Sequence, residues 1–304
     1  MSHSVLTDVL HTLDGVLLGK PRITQLATTC LLAGGHLLLE DVPGLGKTTL
    51  THALASCFGL DYRRVQFTSD VLPADILGAT IYHPNEQSFR FHPGAIFSQL
   101  IMADELNRAS PRTQSALLEA MEEKQVSIEG QTYPLPKPFF VIATQNPQSH
   151  AGTYPLPESQ LDRFLMRLSL GYPDPQAERQ LLLGNAGRAS LEKLTALMPA
   201  ETLLQLQQEV KRVSVSEALV DYLLRLVHGS REHEKIQLGL SPRAALGLKA
   251  ASQAHALLQG RNYVLPDDVQ AVFIPVAAHR LVGRGHEQGV ALARQLLKQT
   301  AVVI

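Results

Sequence analysis

Cysteine is almost missing from this chain. Its 304 residues include two, Cys30 and Cys57, set far apart and forming no CxxC. That excludes a disulfide framework, and both are read as small buried hydrophobes of a reducing compartment. Charge of one sign is also lacking: Lys and Arg total 27 against 28 Asp and Glu, a formal net charge of −1. Nothing in that balance points to nucleic acid or to an anionic membrane. No apolar run approaches the ~20 residues of a membrane span. The longest, near CLLAGGHLLLE, is broken by Gly34, Gly35 and His36. The opening MSHSVLTDVLHTLDG has no basic head followed by an apolar run, so no secretory signal is read. A soluble cytoplasmic protein is expected. HExxH, cysteine–histidine zinc spacing, GxSxG, internal repeats and low-complexity segments are all absent from the sequence.

What remains is an ordinary globular composition, 45% hydrophobic and 18% charged, long enough for about two domains. The two halves differ. Up to about residue 172, short apolar runs alternate with helical patterns: HLLLE (36–40), RRVQF (63–67), SQLIMA (98–103), PFFVIA (138–143) and FLMRLSL (164–170). Buried strands alternating with helices imply a mostly parallel sheet. Beyond YPDPQAERQ, helical periodicity takes over. Asp174 as N-cap and Pro175 at the first helical position open the first of these helices. The expected architecture is an α/β domain over 1–172 followed by an all-helical domain over 173–304. Two hairpin-like segments interrupt the first half, 79–94 with a turn at Pro84-Asn85 and 126–138 with a turn at Glu129-Gly130.

EDVPGLGKTTL (40–50) carries the first chemistry. It departs from the phosphate-loop pattern G-x-x-x-x-G-K-[ST] at one position, where Asp41 replaces the opening glycine. An apolar strand precedes it and a helical pattern follows, which is the context such a loop needs. Gly44 and Gly46 let the backbone turn several N–H groups toward one anion, and the helix adds its N-terminal dipole. The candidate phosphate-binding run is therefore Asp41, Val42, Pro43, Gly44, Leu45, Gly46, Lys47, Thr48 and Thr49. Lys47 offers a charge to the β- and γ-phosphates, and the Thr48 hydroxyl can ligate Mg²⁺.

SQLIMADELNRA ends a strand in Asp104-Glu105. Paired carboxylates at the carboxyl end of a strand repel each other, and a divalent ion with Lys47 would offset that. Asp104 is assigned to Mg²⁺ and Glu105 to activating water. PFFVIATQNP places Asn146 at another strand end. LPESQLDRFLMR offers Arg163 and Arg167. LSPRAALGLKAA puts Arg243 in the first turn of a helix, where a cation opposes the dipole by up to ~1 kcal/mol. Ser110-Pro111-Arg112 repeats that arrangement.

The order of these motifs resembles an AAA+ ATPase, and within that superfamily the MoxR family. The segments that carry the likeness are LLLEDVPGLGKTTL, RVQFTSDVLPADILG, FRFHPGAIFSQLIMADELNRASPRTQSALLEAMEEKQV, FFVIATQNPQSHAGTYPLPESQLDRFLMRLSLGYP and LGLSPRAALGLKAA, within residues 36–251. The resemblance implies a P-loop AAA+ core with hairpin inserts and a helical lid, and an ATP hydrolase with ATP and Mg²⁺ as cofactors. It implies that the loop tolerates Asp41, that Asn146 is sensor 1, Arg163 the arginine finger with Arg167 as the alternative, and Arg243 sensor 2. It further implies a homo-hexameric ring in which Arg163 acts on the neighbour's nucleotide. A chaperone-like motor for maturation or metal-cofactor insertion of client complexes is implied, with a von Willebrand factor A domain partner. The other readings are a magnesium-chelatase-type motor subunit and a DNA-handling AAA+ motor. The hairpins are poor in charge, with Glu129 against Lys137 in the second, so nucleic acid is not expected.

Overall fold

The computed structural model describes residues 2–147, 152–184, 191, 194–285 and 288–302. Two helices lead, α1 (Ser2–Val16) and α2 (Pro21–Leu32), followed by β1 (His36–Glu40) and α3 (Lys47–Cys57). Next come β2 (Tyr62–Gln66), α4 (Pro73–Leu77), β3 (Gly78–His83), β4 (Ser88–Pro93) and β5 (Leu100–Asp104). Helix α5 (Pro111–Glu123), β6 (Gln125–Ile128), β7 (Gln131–Pro134), β8 (Phe140–Gln145), α6 (Glu158–Leu161) and β9 (Phe164–Leu168) complete the first half. The second half holds α7 (Pro175–Leu182), α8 (Ala200–Arg212), α9 (Glu217–Glu232), β10 (Ile236–Leu238), α10 (Pro242–Leu258), α11 (Pro266–Ala277), β11 (Val282–Gly283) and α12 (Gly289–Gln299).

All five apolar runs become strands of one parallel sheet, in the order β2-β5-β8-β1-β9. Central strands are buried on both faces, so their residues are apolar without alternation. Side chains still project alternately. Leu37 and Leu39 of β1 therefore join one hydrophobic cluster, and Leu38 joins another on the opposite face. The second cluster packs α5 and the hairpin side. The first runs from Leu6 and Leu13 of α1 through Leu26 of α2 and Met166 of β9 to Leu203, Leu248 and Phe273 of the helical half. The sheet's last strand ends at Leu168, and the next helix begins at Pro175 with the Asp174 carboxylate accepting from the Ala177 N–H.

Both hairpins form. β3 pairs antiparallel with β4 and β6 with β7. The second turns at Glu129 (φ 50°) and Gly130 (φ 82°), two successive positive-φ residues as a two-residue hairpin turn requires. The rings of Phe91 and Tyr133 stack at 4.0 Å, joining one hairpin to the other. The helical half departs from expectation in one respect. It contains a short antiparallel pair, β10 with β11, too brief for period-2 patterning to show in the sequence. No described helix is long and apolar enough to cross a membrane.

A candidate nucleotide cleft and an arginine pair outside its lining

Beyond the carboxyl ends of β1, β5 and β8 lies a cleft of about 390 Å³. Pro43, Gly44, Gly46, Lys47, Thr48 and Thr49 form one wall, and Asp104, Glu105, Thr144, Gln145 and Asn146 face them. The crevice outside the strand ends is where an open α/β sheet binds ligands. Gly44 (φ 86°) and Gly46 (φ 91°) take left-handed conformations that residues with a Cβ rarely adopt, and Gly46 is the N-cap of α3. Lys47 Nζ donates to the carbonyls of Asp41 at 2.5 Å and Val42 at 3.2 Å. Partial burial pulls its ammonium below the ordinary lysine value, and the charges of Asp41, Asp104 and Glu105 pull it back up.

The acids are held from several sides. Asp104 Oδ1 accepts from Thr144 Oγ1 at 2.6 Å, and the same hydroxyl oxygen accepts from the Glu105 N–H at 2.8 Å. Asp104 Oδ2 accepts from Arg64 through Nε at 3.1 Å and a terminal nitrogen at 2.5 Å. Glu105 has φ 56°, a strained value for a residue with a side chain, and its Oε2 accepts from Arg108 at 2.9 Å. Such strain collects at functional sites. Thr48 and Asp104 supply the oxygen donors that a hard cation such as Mg²⁺ takes, on opposite walls of one cleft. The donor set fits that ion.

Four residues of the cleft lining were not among the sequence candidates: Arg64, Gln66, Thr144 and Gln145. The part played by Arg64 depends on β2 lying beside β5, with Gln66 opposite Asp104. Three members of the expected loop run lie outside the cleft lining. Val42 contributes its carbonyl, and Leu45 packs against the larger hydrophobic cluster. Asp41 turns its buried carboxylate away, accepting from Ser169 Oγ at 3.0 Å, from the Leu170 N–H, and from the Gly171 N–H at 3.3 Å. The residue that breaks the phosphate-loop pattern thus ties the loop to the segment leaving β9.

The two expected arginines do not line this cleft; they meet elsewhere. Arg163 Nε lies 3.0 Å from Glu122 Oε2, and Arg243 pairs with Glu122 Oε1. Glu122 belongs to α5, Arg163 to the turn before β9, and Arg243 to the first turn of α10 after the Ser241 cap. The alternative finger, Arg167, is tied to Glu40 Oε2 at 2.8 Å, and Glu40 Oε1 accepts from Gln145 at 2.8 Å.

Residues 36–166 match the family described as "ATPase family associated with various cellular activities (AAA)", and residues 228–299 match "AAA lid domain". The chain is 45% identical over 280 residues to the YeaC protein of Bacillus subtilis, covering 92% of this chain and 88% of that one. It is 41% identical over 289 residues to "Chaperone MoxR1" of Mycobacterium tuberculosis, covering 90% and 76%. The crystal structure of an ATPase candidate from Cytophaga hutchinsonii superimposes with a TM-score of 0.90 at 34% identity, covering 100% of this chain and 96% of the other.

Proposed function

The chain belongs to the MoxR family of AAA+ ATPases, and from that premise we propose that it is a Mg²⁺-dependent ATP hydrolase driving a chaperone-like remodelling motor. One observation carries the reading: Lys47 and Thr48 face Asp104, Glu105 and Asn146 across a single cleft at the strand ends. Backbone N–H groups of the 44–49 run, which includes the α3 N-terminus, bind the phosphates, and Lys47 exchanges its carbonyl partners for phosphate oxygens. Thr48 and Asp104 hold Mg²⁺, which neutralises phosphate charge when bound. Glu105 takes the proton of the attacking water, and Asn146 orients that water.

Arg163 and Arg243 serve a neighbouring subunit's nucleotide, a reading supported by their absence from the lining of their own cleft. A ring of identical subunits, six by the family likeness, meets that need. The client is a protein complex undergoing maturation or metal-cofactor insertion, presented with a von Willebrand factor A domain partner.

The test is Glu105→Gln. Calorimetry should find ATP binding retained in the presence of Mg²⁺, while phosphate release falls by at least about 10²-fold. Unchanged turnover would remove Glu105 from its role.

A further inference from the structure

We propose that Glu122 is a positioning residue. It holds Arg163 and Arg243 as one two-armed anion clamp, offered to the nucleotide of the next copy of this chain. The inference rests on the proposed ATPase reading and adds to it the residue that sets the clamp.

The three side chains come from sequence positions far apart, so their meeting is a product of the fold. A carboxylate shared by two guanidiniums offsets their mutual repulsion; Arg243 donates to Glu122 Oε1, and Arg163 Nε is ion-paired with Oε2 at 3.0 Å without hydrogen-bond geometry. It does not neutralise them: two positive charges against one negative leave a net charge of +1. Each guanidinium carries five N–H donors, far more than one carboxylate can use. Arg163, Glu122 and Arg243 expose 27%, 34% and 49% of their side chains, so each is reached in part from outside, although Arg163 Nε itself is buried. A net positive, donor-rich, accessible pair that does not line its own subunit's cleft is built for an anion brought by another molecule.

A second tether joins the segments that carry the clamp. Asp162, next to Arg163, accepts from Ser241 Oγ at 3.0 Å and from Arg280 Nε at 2.6 Å, and its carbonyl accepts from Arg280 at 2.9 Å. Ser241 caps the helix that carries Arg243. Asp162 thus links the turn that bears Arg163 to the cap of the helix that bears Arg243, a second connection between the two segments besides Glu122. The misfit of a cation in the first turn of α10 is answered by Glu122, whose charge offsets the unfavourable dipole.

The experiment mixes subunits and reads phosphate release. Glu122→Gln alone should bind ATP as the parent does and turn over about 10-fold or more slowly, the cost of misplaced groups. Glu122→Asp, which keeps the charge, should retain more turnover than Glu122→Gln. Mixed with Lys47→Ala subunits, whose clefts are dead but whose clamps are intact, Glu122→Gln subunits should regain turnover, as should Arg163→Ala subunits in a parallel mixture. Recovery with Arg163→Ala but not with Glu122→Gln overturns the proposal and leaves the ATPase reading standing. Recovery with neither overturns the idea of arginines lent across subunits, and this proposal with it. A double-mutant cycle gives a readout independent of mixing: Glu122→Gln combined with Arg243→Ala should lose no more than the worse single change. Additive losses would mean that the two residues act separately.

Discussion

Arg64 places two hydrogen bonds on one oxygen of Asp104, at 2.5 and 3.1 Å, while Thr144 takes the other oxygen at 2.6 Å. A guanidinium and a metal ion compete for the same carboxylate. Replacing Arg64 with Ala removes one competitor, so the Mg²⁺ concentration that half-supports ATP binding should fall by about 5-fold, the effect of ~1 kcal/mol. Calorimetric ATP titrations across Mg²⁺ concentrations check this, and a rise in the Mg²⁺ requirement would contradict it.

Thr144→Val keeps shape and removes the hydroxyl. The Glu105 N–H and one Asp104 oxygen then lose their partner in a partly buried setting, which costs about 1–3 kcal/mol. Denaturant unfolding should register that loss. Turnover should fall more than ATP affinity, because the group displaced is Glu105 and not the phosphate loop.

Asp41→Gly restores the usual first residue of the phosphate loop and should nonetheless harm the protein. The buried carboxylate accepts from Ser169, Leu170 and Gly171, and a glycine leaves those donors unmet. A loss of about 2–3 kcal/mol in unfolding free energy is expected, with ATP affinity changed little. A stabilised Asp41→Gly protein would refute the tethering role.

Burial lowers the His36 imidazole from its ordinary value to about 4, and the nearby Lys124 charge works in the same direction. Its Nδ1 accepts from the Val141 N–H at 3.0 Å, and its Nε2 faces the Met121 carbonyl. The folded chain thus binds the extra proton less readily than the unfolded chain. This contribution is complete above pH 6.5 and is lost as pH falls toward 4, approaching about 3 kcal/mol. His279, held well below its ordinary value by burial and by Arg280, acts in the same direction. Unfolding free energies measured from pH 7.5 down to 4.5 should fall steadily. The decline should be shallower in His36→Gln.

Legibility in the sequence tracked locality. The 43–49 run and Asp104-Glu105 could be read because each is a contiguous stretch at the end of an apolar strand, and the strand period announces the end. Arg64 and Thr144 could not, because their parts depend on strand order. The runs identify strands without saying that β5 lies between β2 and β8. Glu122 gave no signal at all, being one acid in the run EAMEEKQ on a helix face. Its meaning appears only when residues 163 and 243 are brought to it. The direction of the Asp41 carboxylate was unreadable for a related reason: a motif records which residue stands at a position, not which way its side chain turns.

The larger hydrophobic cluster starts in the first turns of α1 and ends in the helices that close the chain. Leu6, Leu13 and Leu26 therefore seal the same dry interior as Leu203, Leu248 and Phe273. Fragments severed near residue 172 would each expose a raw apolar wall to water. Neither piece should remain in solution by itself, and deleting the leading helices should aggregate the whole polypeptide rather than simply trim it.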